Sequence, residues 1–142
     1  MKTNAFTLLE MLLVLSISLT MITLTIFPIS NSLSTLTEKQ LLEEIKATIY
    51  YAQLNAITSG QDTMITFSSP ENQLTVATMN NSLITVPFSN SLKLNPQRLE
   101  KFCFSGSAGS INRFTTVRFI GKANNYKLIF QIGKGRFRIE PD

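Results

Sequence analysis

The chain begins with a membrane-length apolar segment that carries one charge close to its start. Residues 6–27 contain no Lys, Arg, Asp, Gly or Pro, and Glu10 is the only ionisable side chain among them. A helix rises about 1.5 Å per residue, so roughly 20 apolar residues cross a bilayer. The pattern predicts a transmembrane helix over 6–27. A carboxylate inside such a segment is costly without a partner and therefore indicates function.

The next stretch changes from all-round apolar to amphipathic. Pro28 predicts a kink or a short break. We expect the helix to resume by Leu33, so that the amphipathic continuation of the helix covers 28–59. We expect Gly60 to take the left-handed cap after Ser59. Charged and polar residues from Glu38 to Gln53 are expected to fill the outward sides. The buried face is predicted from steps of three and four, which give Leu42, Ile45, Ile49, Ala52 and Ala56.

After Gly60 the apolar period becomes two, which predicts strands in a globular domain over 60–142. We expect the strand from Leu83 to Phe88 either to lie at a sheet edge or to end at Pro87, because proline cannot donate to a ladder. Residues 105–110 have loop composition, and Gly133-Lys134-Gly135 predicts a hairpin turn. The fold class is α+β: one long N-terminal helix packed on a small antiparallel sheet. The predicted strands are 63–67, 73–78, 83–88, 92–94, 115–120, 126–132 and 136–140.

The composition excludes several kinds of site. Histidine is absent and Cys103 is the single cysteine, so a Cys/His metal site and an intramolecular disulfide are excluded. We expect Cys103 to be a small buried hydrophobe between Phe102 and Phe104, with an intermolecular disulfide as the alternative. No nucleophile–base pair or pair of carboxylates can be identified from the spacing. We therefore predict a non-enzymatic protein without metal or cofactor.

Basic residues concentrate in the later part of the chain. The net charge is +4, and from Lys93 onward there are ten Lys or Arg against three acids. Lys134, Arg136 and Arg138 gather at the last predicted hairpin. Three interpretations stay open: a solvated strand face that protects an edge, a contact with a partner subunit, or a direct contact with DNA phosphates.

The start of the chain carries a specific motif. Ala5-Phe6-Thr7-Leu8-Leu9-Glu10 and the apolar run behind it resemble the class III leader of type IV pilins and pseudopilins. The resemblance implies cleavage between Ala5 and Phe6, removal of a cytoplasmic leader over 1–5, N-methylation of Phe6, and an assembly role for Glu10. The family usually has Gly where this chain has Ala5. A cleaved secretory signal peptide and a plain single-pass anchor are the competing interpretations.

Two later segments resemble one particular group within this family. Residues 126–137 and Tyr50-Tyr51-Ala52-Gln53 resemble the D-type minor pseudopilins of the Gram-positive competence machinery. The H-type pseudopilins of general secretion are similar at the leader. The resemblance implies a pilin-like fold and a structural subunit of a competence type IV pilus or pseudopilus that serves uptake of exogenous DNA in transformation. It also implies a single-pass cell-membrane protein with a cytoplasmic N-terminus, found on the cell surface after assembly.

The resemblance implies a set of partners as well. They are a prepilin peptidase that is also the methyltransferase, the major and other minor pseudopilins, a membrane platform protein, and an assembly ATPase. DNA and the membrane are further expected contacts. Two other functions remain open: a pseudopilin of a type II secretion-like system, and a monomeric membrane-anchored DNA- or polymer-binding protein.

Overall fold

The structure is a computed structural model. It describes residues 7–79, 81–95, 100–131, 133 and 135–142, without the side chains of 27–32. The chain divides into two compact units, one up to Leu33 and one from Ser34 to Asp142. Within the described residues one helix is followed by eight strands, so the fold is α+β as predicted.

Helix α1 spans Leu8–Ser59, a total of 52 residues. At its start, the Glu10 amide donates to the Thr7 side-chain oxygen at 3.3 Å, which makes Thr7 the N-cap. The helix passes through Pro28, so the predicted alternative of a short break is wrong. A single proline removes one helical hydrogen bond and does not require the helix to end. At the other end Gly60 has a φ of 66°, which confirms the left-handed cap.

The strands form two sheets, whereas a single small sheet was predicted. One four-stranded antiparallel sheet, called sheet A, has the order β3-β2-β1-β5, and the other, called sheet B, has the order β4-β6-β7-β8. The edge position of the strand ending at Pro87 is confirmed. The strands are β1 Thr63–Ser68, β2 Gln73–Thr78, β3 Ser82–Pro87, β4 Leu92–Leu94, β5 Glu100–Phe104, β6 Thr115–Gly121, β7 Asn125–Phe130 and β8 Phe137–Pro141.

Strand β5 was not predicted, although it completes sheet A beside β1. The strand predicted over 126–132 corresponds to β7 and ends at Phe130, and Ile132 lies outside the described residues. The turn before β8 has left-handed glycines, with φ of 107° at Gly133 and 65° at Gly135. Positive φ is cheap only for glycine, so the simple turn interpretation of this pair holds.

Phenylalanines from both sheets meet in one core. Phe102 of sheet A lies 4.3 Å from Phe130 of sheet B, measured between ring centroids, and Phe67 lies 6.0 Å from Phe119. Such aromatic pairs add about 0.5–1.5 kcal/mol beyond the burial of area. The five predicted helix positions Leu42, Ile45, Ile49, Ala52 and Ala56 are all buried against this core, so that part of the prediction is confirmed.

Asn72 joins the two sheets. It lies in the turn between β1 and β2 with a φ of 47°, the left-handed region that asparagine tolerates. Its side-chain amide donates to the carbonyls of Phe88 and Leu92, each at 3.3 Å. Its side-chain oxygen accepts from the Leu94 amide at 3.1 Å. One side chain in the β1–β2 turn of sheet A therefore positions Phe88 and strand β4 of sheet B.

Two expectations about individual side chains are wrong. Cys103 is half-buried, while Phe102 and Phe104 on either side of it are buried. Successive strand residues face opposite sides, so Cys103 lies on the outer face of sheet A, opposite the exposed Met64 in register. Glu38 was placed on the outward side of the helix but is fully buried at 0 % exposure.

Candidate assembly surface on the N-terminal helix

The first unit presents an apolar helix surface. Leu8–Ile26 forms 19 residues of helix that are long and apolar enough to cross a membrane, and none of this span is buried within the chain. Ala5 and Phe6 lie outside the described residues. Glu10 lies in the first turn of α1 and is exposed. The span is therefore compatible with a single-pass membrane anchor, and its one carboxylate lies close to its start.

Within the second unit, the same helix has a second apolar face. Tyr50, Leu54 and Ile57 are 59 %, 59 % and 51 % exposed, and their spacing of four and three places them on one side. Leu36, which is 14 residues before Tyr50, shares that side and is also exposed. The opposite side holds the buried stripe.

Sequence reasoning missed this exposed face. The positions 36, 50, 54 and 57 follow helical spacing and could have been found. Polar residues interrupt this row and conceal it in the sequence. Two of them, Glu43 and Lys46, form an ion pair at 2.6 Å. Contiguous exposed apolar patches can mark interaction surfaces, so Tyr50, Leu54 and Ile57 are candidates for a contact with another protein.

The chain was compared with protein-family models, with curated proteins and with solved structures. No match was found. Assignment of function therefore depends on the residues and the geometry of this chain.

The predicted cationic site at the last hairpin is only partly described. Lys134 lies outside the described residues, while Arg136 and Arg138 are both exposed. The Arg138 guanidinium forms an ion pair with the Glu140 carboxylate at 3.0 Å. An exposed pair of this kind contributes little to stability, but it reduces the positive charge that Arg138 offers to a ligand.

A further cluster of charges lies on the outer face of sheet B. Arg118 and Lys127 are directly opposite in the β6–β7 register, an arrangement that places like charges side by side. Asp142 lies between them, 3.4 Å from Arg118 and 3.7 Å from Lys127. The outer face of sheet B is therefore cationic but partly neutralised by the acids at the end of β8.

Proposed function

We propose that this chain is a minor pseudopilin, a structural subunit of a competence type IV pilus or pseudopilus that serves DNA uptake. The observation that carries the proposal is the position of Glu10, the one carboxylate of the otherwise apolar, unburied span Leu8–Ile26, in the first turn of α1. It follows a small residue and a phenylalanine at the pseudopilin spacing. A long N-terminal helix before small antiparallel sheets is compatible with a pilin-like layout and supports the proposal.

The proposed mechanism depends on the charge of Glu10. Cleavage before Phe6 creates a positive amine four residues from Glu10. When subunits pack side by side, the amine of one can pair with Glu10 of another. In a medium of low dielectric that attraction is strong, and an unpaired charge is costly. Assembly thereby neutralises a charge that the single subunit leaves in the membrane. The exposed face with Tyr50, Leu54 and Ile57 offers additional packing area.

The assembly proposal is tested by Glu10→Val with Ser18→Val as the matched control. Both changes make the same helix more apolar, but only the first removes the charge. We expect both variants to insert and to be processed, and only Glu10→Val to fail to co-purify with the other pilus subunits. Transformation frequency should fall with it. Normal co-assembly of Glu10→Val would contradict the proposal.

A pseudopilin of a secretion system is the alternative within the same fold. It shares the leader and the helix, so Glu10→Val would impair assembly there too. The two functions differ in the phenotype that accompanies the assembly defect. Lost DNA uptake with normal protein secretion supports the competence assignment, and lost secretion with normal uptake supports the alternative.

Direct binding of DNA is a second candidate function, favoured by the exposed Arg136 and Arg138. Neutralising both residues, together with Lys134, should weaken duplex binding and flatten its salt dependence, by about 0.9 in log–log slope for each phosphate that the protein no longer neutralises. Glu140→Gln should tighten binding, because it removes the carboxylate paired with Arg138. Lys39→Gln on the helix is the matched control. Absent or salt-independent binding would refute DNA binding by this hairpin and leave the assembly proposal untouched.

A further inference from the structure

A buried carboxylate occupies the first position of the helix stripe in the second unit. Glu38 precedes Leu42, Ile45 and Ile49 in steps of four, three and four, so it occupies a position where an apolar side chain is expected. It is 0 % exposed, like Ile45 and Ile49 deeper along the stripe. The residues between it and the unit boundary at Ser34 are half-buried or exposed.

Among the described residues, both side-chain hydrogen-bond partners of Glu38 come from the β6–β7 hairpin of sheet B. One carboxylate oxygen, Oε1, accepts from the Ala123 amide at 2.9 Å. The other, Oε2, accepts from the Tyr126 hydroxyl at 3.4 Å. A Cβ built on Gly121 would lie 3.0 Å from the carboxylate carbon, so glycine in this turn leaves room for the acid. The start of the helix in this unit is thus fastened to the turn between β6 and β7.

Burial is less favourable for Glu38 than for the apolar residues of the same stripe. Burying a carboxylate removes its hydration, and this cost is recovered only with excellent partners. One of its two hydrogen bonds is long for an O–H donor, which is most favourable near 2.7–2.8 Å. No ion pair to Glu38 occurs among the described residues. By contrast, Leu42 and Ile45 gain from burial without such a cost.

We propose that Glu38 forms a weak, reversible contact, which we call the latch. In a minor state the helix segment from Ser34 to Leu41 separates from the β6–β7 turn, while the helix from Leu42 onward remains packed on the sheets. Lifting returns the carboxylate to water and frees the Ala123 amide. Local openings of this kind are drawn from the least stabilised parts of a fold. The latch is independent of the proposed pilus function, since it follows from the packing of the second unit alone.

Thiol labelling of the full chain in detergent micelles tests the latch. In a Cys103→Ser background, Leu41→Cys reports lifting, and Ala52→Cys, deeper on the same stripe, reports opening of the whole unit. We expect position 41 to react at least about tenfold faster than position 52, because opening of the whole unit exposes the entire core and costs more free energy than a local opening. Equal rates at the two positions would overturn the proposal.

The decisive variant is Glu38→Leu, with Glu44→Leu at an exposed position of the same helix as the control. Leucine has no carboxylate whose hydration is regained when the segment separates from the turn. Labelling at position 41 should therefore slow at least about threefold, while labelling at position 52 stays unchanged. Glu38→Ala should instead speed labelling at position 41. An unchanged rate at position 41 in Glu38→Leu, or a parallel shift at both positions, would reduce Glu38 to a static contact and refute the latch.

Discussion

The junction at Asn72 offers a sharp test of how the two sheets are held together. Asn72→Ala removes three side-chain hydrogen bonds to the backbone of Phe88, Leu92 and Leu94. At about 1 kcal/mol each, reduced because the site is only half-buried, the bonds are worth roughly 2 kcal/mol in the free energy of unfolding. Alanine at a φ of 47° adds about 1 kcal/mol of backbone strain. The expected loss is about 3 kcal/mol.

Asn72→Gly separates the two contributions, because glycine lacks the hydrogen bonds but adopts positive φ without strain. We expect it to lose about 2 kcal/mol, so that stability falls in the order wild type, glycine, alanine. The exposed Asn124→Ala is the control and should change stability by less than about 0.5 kcal/mol. Denaturant unfolding of the full chain in a mild detergent, followed by near-ultraviolet circular dichroism, measures the series. Glycine and alanine variants both within about 0.5 kcal/mol of wild type would refute the reasoning.

Three further predictions concern other parts of the second unit. Gly106→Ala should cost more than about 2 kcal/mol of unfolding free energy in the same assay, because its Cβ would lie 2.4 Å from the Gly60 backbone; a smaller loss would show that the loop adapts. Burial, and then the charge of Asp62, raise the pKa of the Cys103 thiol. Alkylation near pH 8 should therefore be slower than for a free cysteine, and faster in Asp62→Asn; an ordinary pH–rate profile would contradict this. Leu54→Lys, on the exposed face, should leave thermal stability unchanged but reduce co-purification with pilus subunits; full co-purification would argue against that surface.

The elements that local pattern controls could be predicted from the sequence. Helical spacing identified the buried stripe from Leu42 to Ala56, because each of those positions has its apolar side chain against the core. Alternation identified seven of the eight strands for the same reason. The cap at Gly60 followed from the conformational freedom of glycine.

Features that depend on distant partners could not be predicted. Alternation shows which side of a strand is buried but not which strand lies beside it, so the division into two sheets was missed. Glu38 has its partners about 85 residues away in sequence, at Ala123 in the β6–β7 turn and at Tyr126 in β7, and local polarity therefore placed it in solvent. Cys103 was assigned by its flanking phenylalanines, although neighbours in a strand face the opposite side.

The exposed row on the helix was missed for a related reason. Leu36 and Tyr50 are four turns apart, and the residues between them on that side are polar. A search for one buried face treats exposed apolar residues such as these as isolated surface positions. Only the burial of the opposite stripe makes clear that Tyr50, Leu54 and Ile57 lie on a separate, mostly exposed face, where the Tyr50 ring also packs 4.8 Å from the Phe137 ring.

The central claim is that processing before Phe6 supplies the amine that pairs with Glu10 during assembly. Mass spectrometry of the mature N-terminus, on chain purified from cells that carry the assembly machinery, tests it most directly. The account predicts a chain that begins at Phe6 with a methylated amine. A chain that keeps Met1, or that begins at any residue other than Phe6, would contradict it.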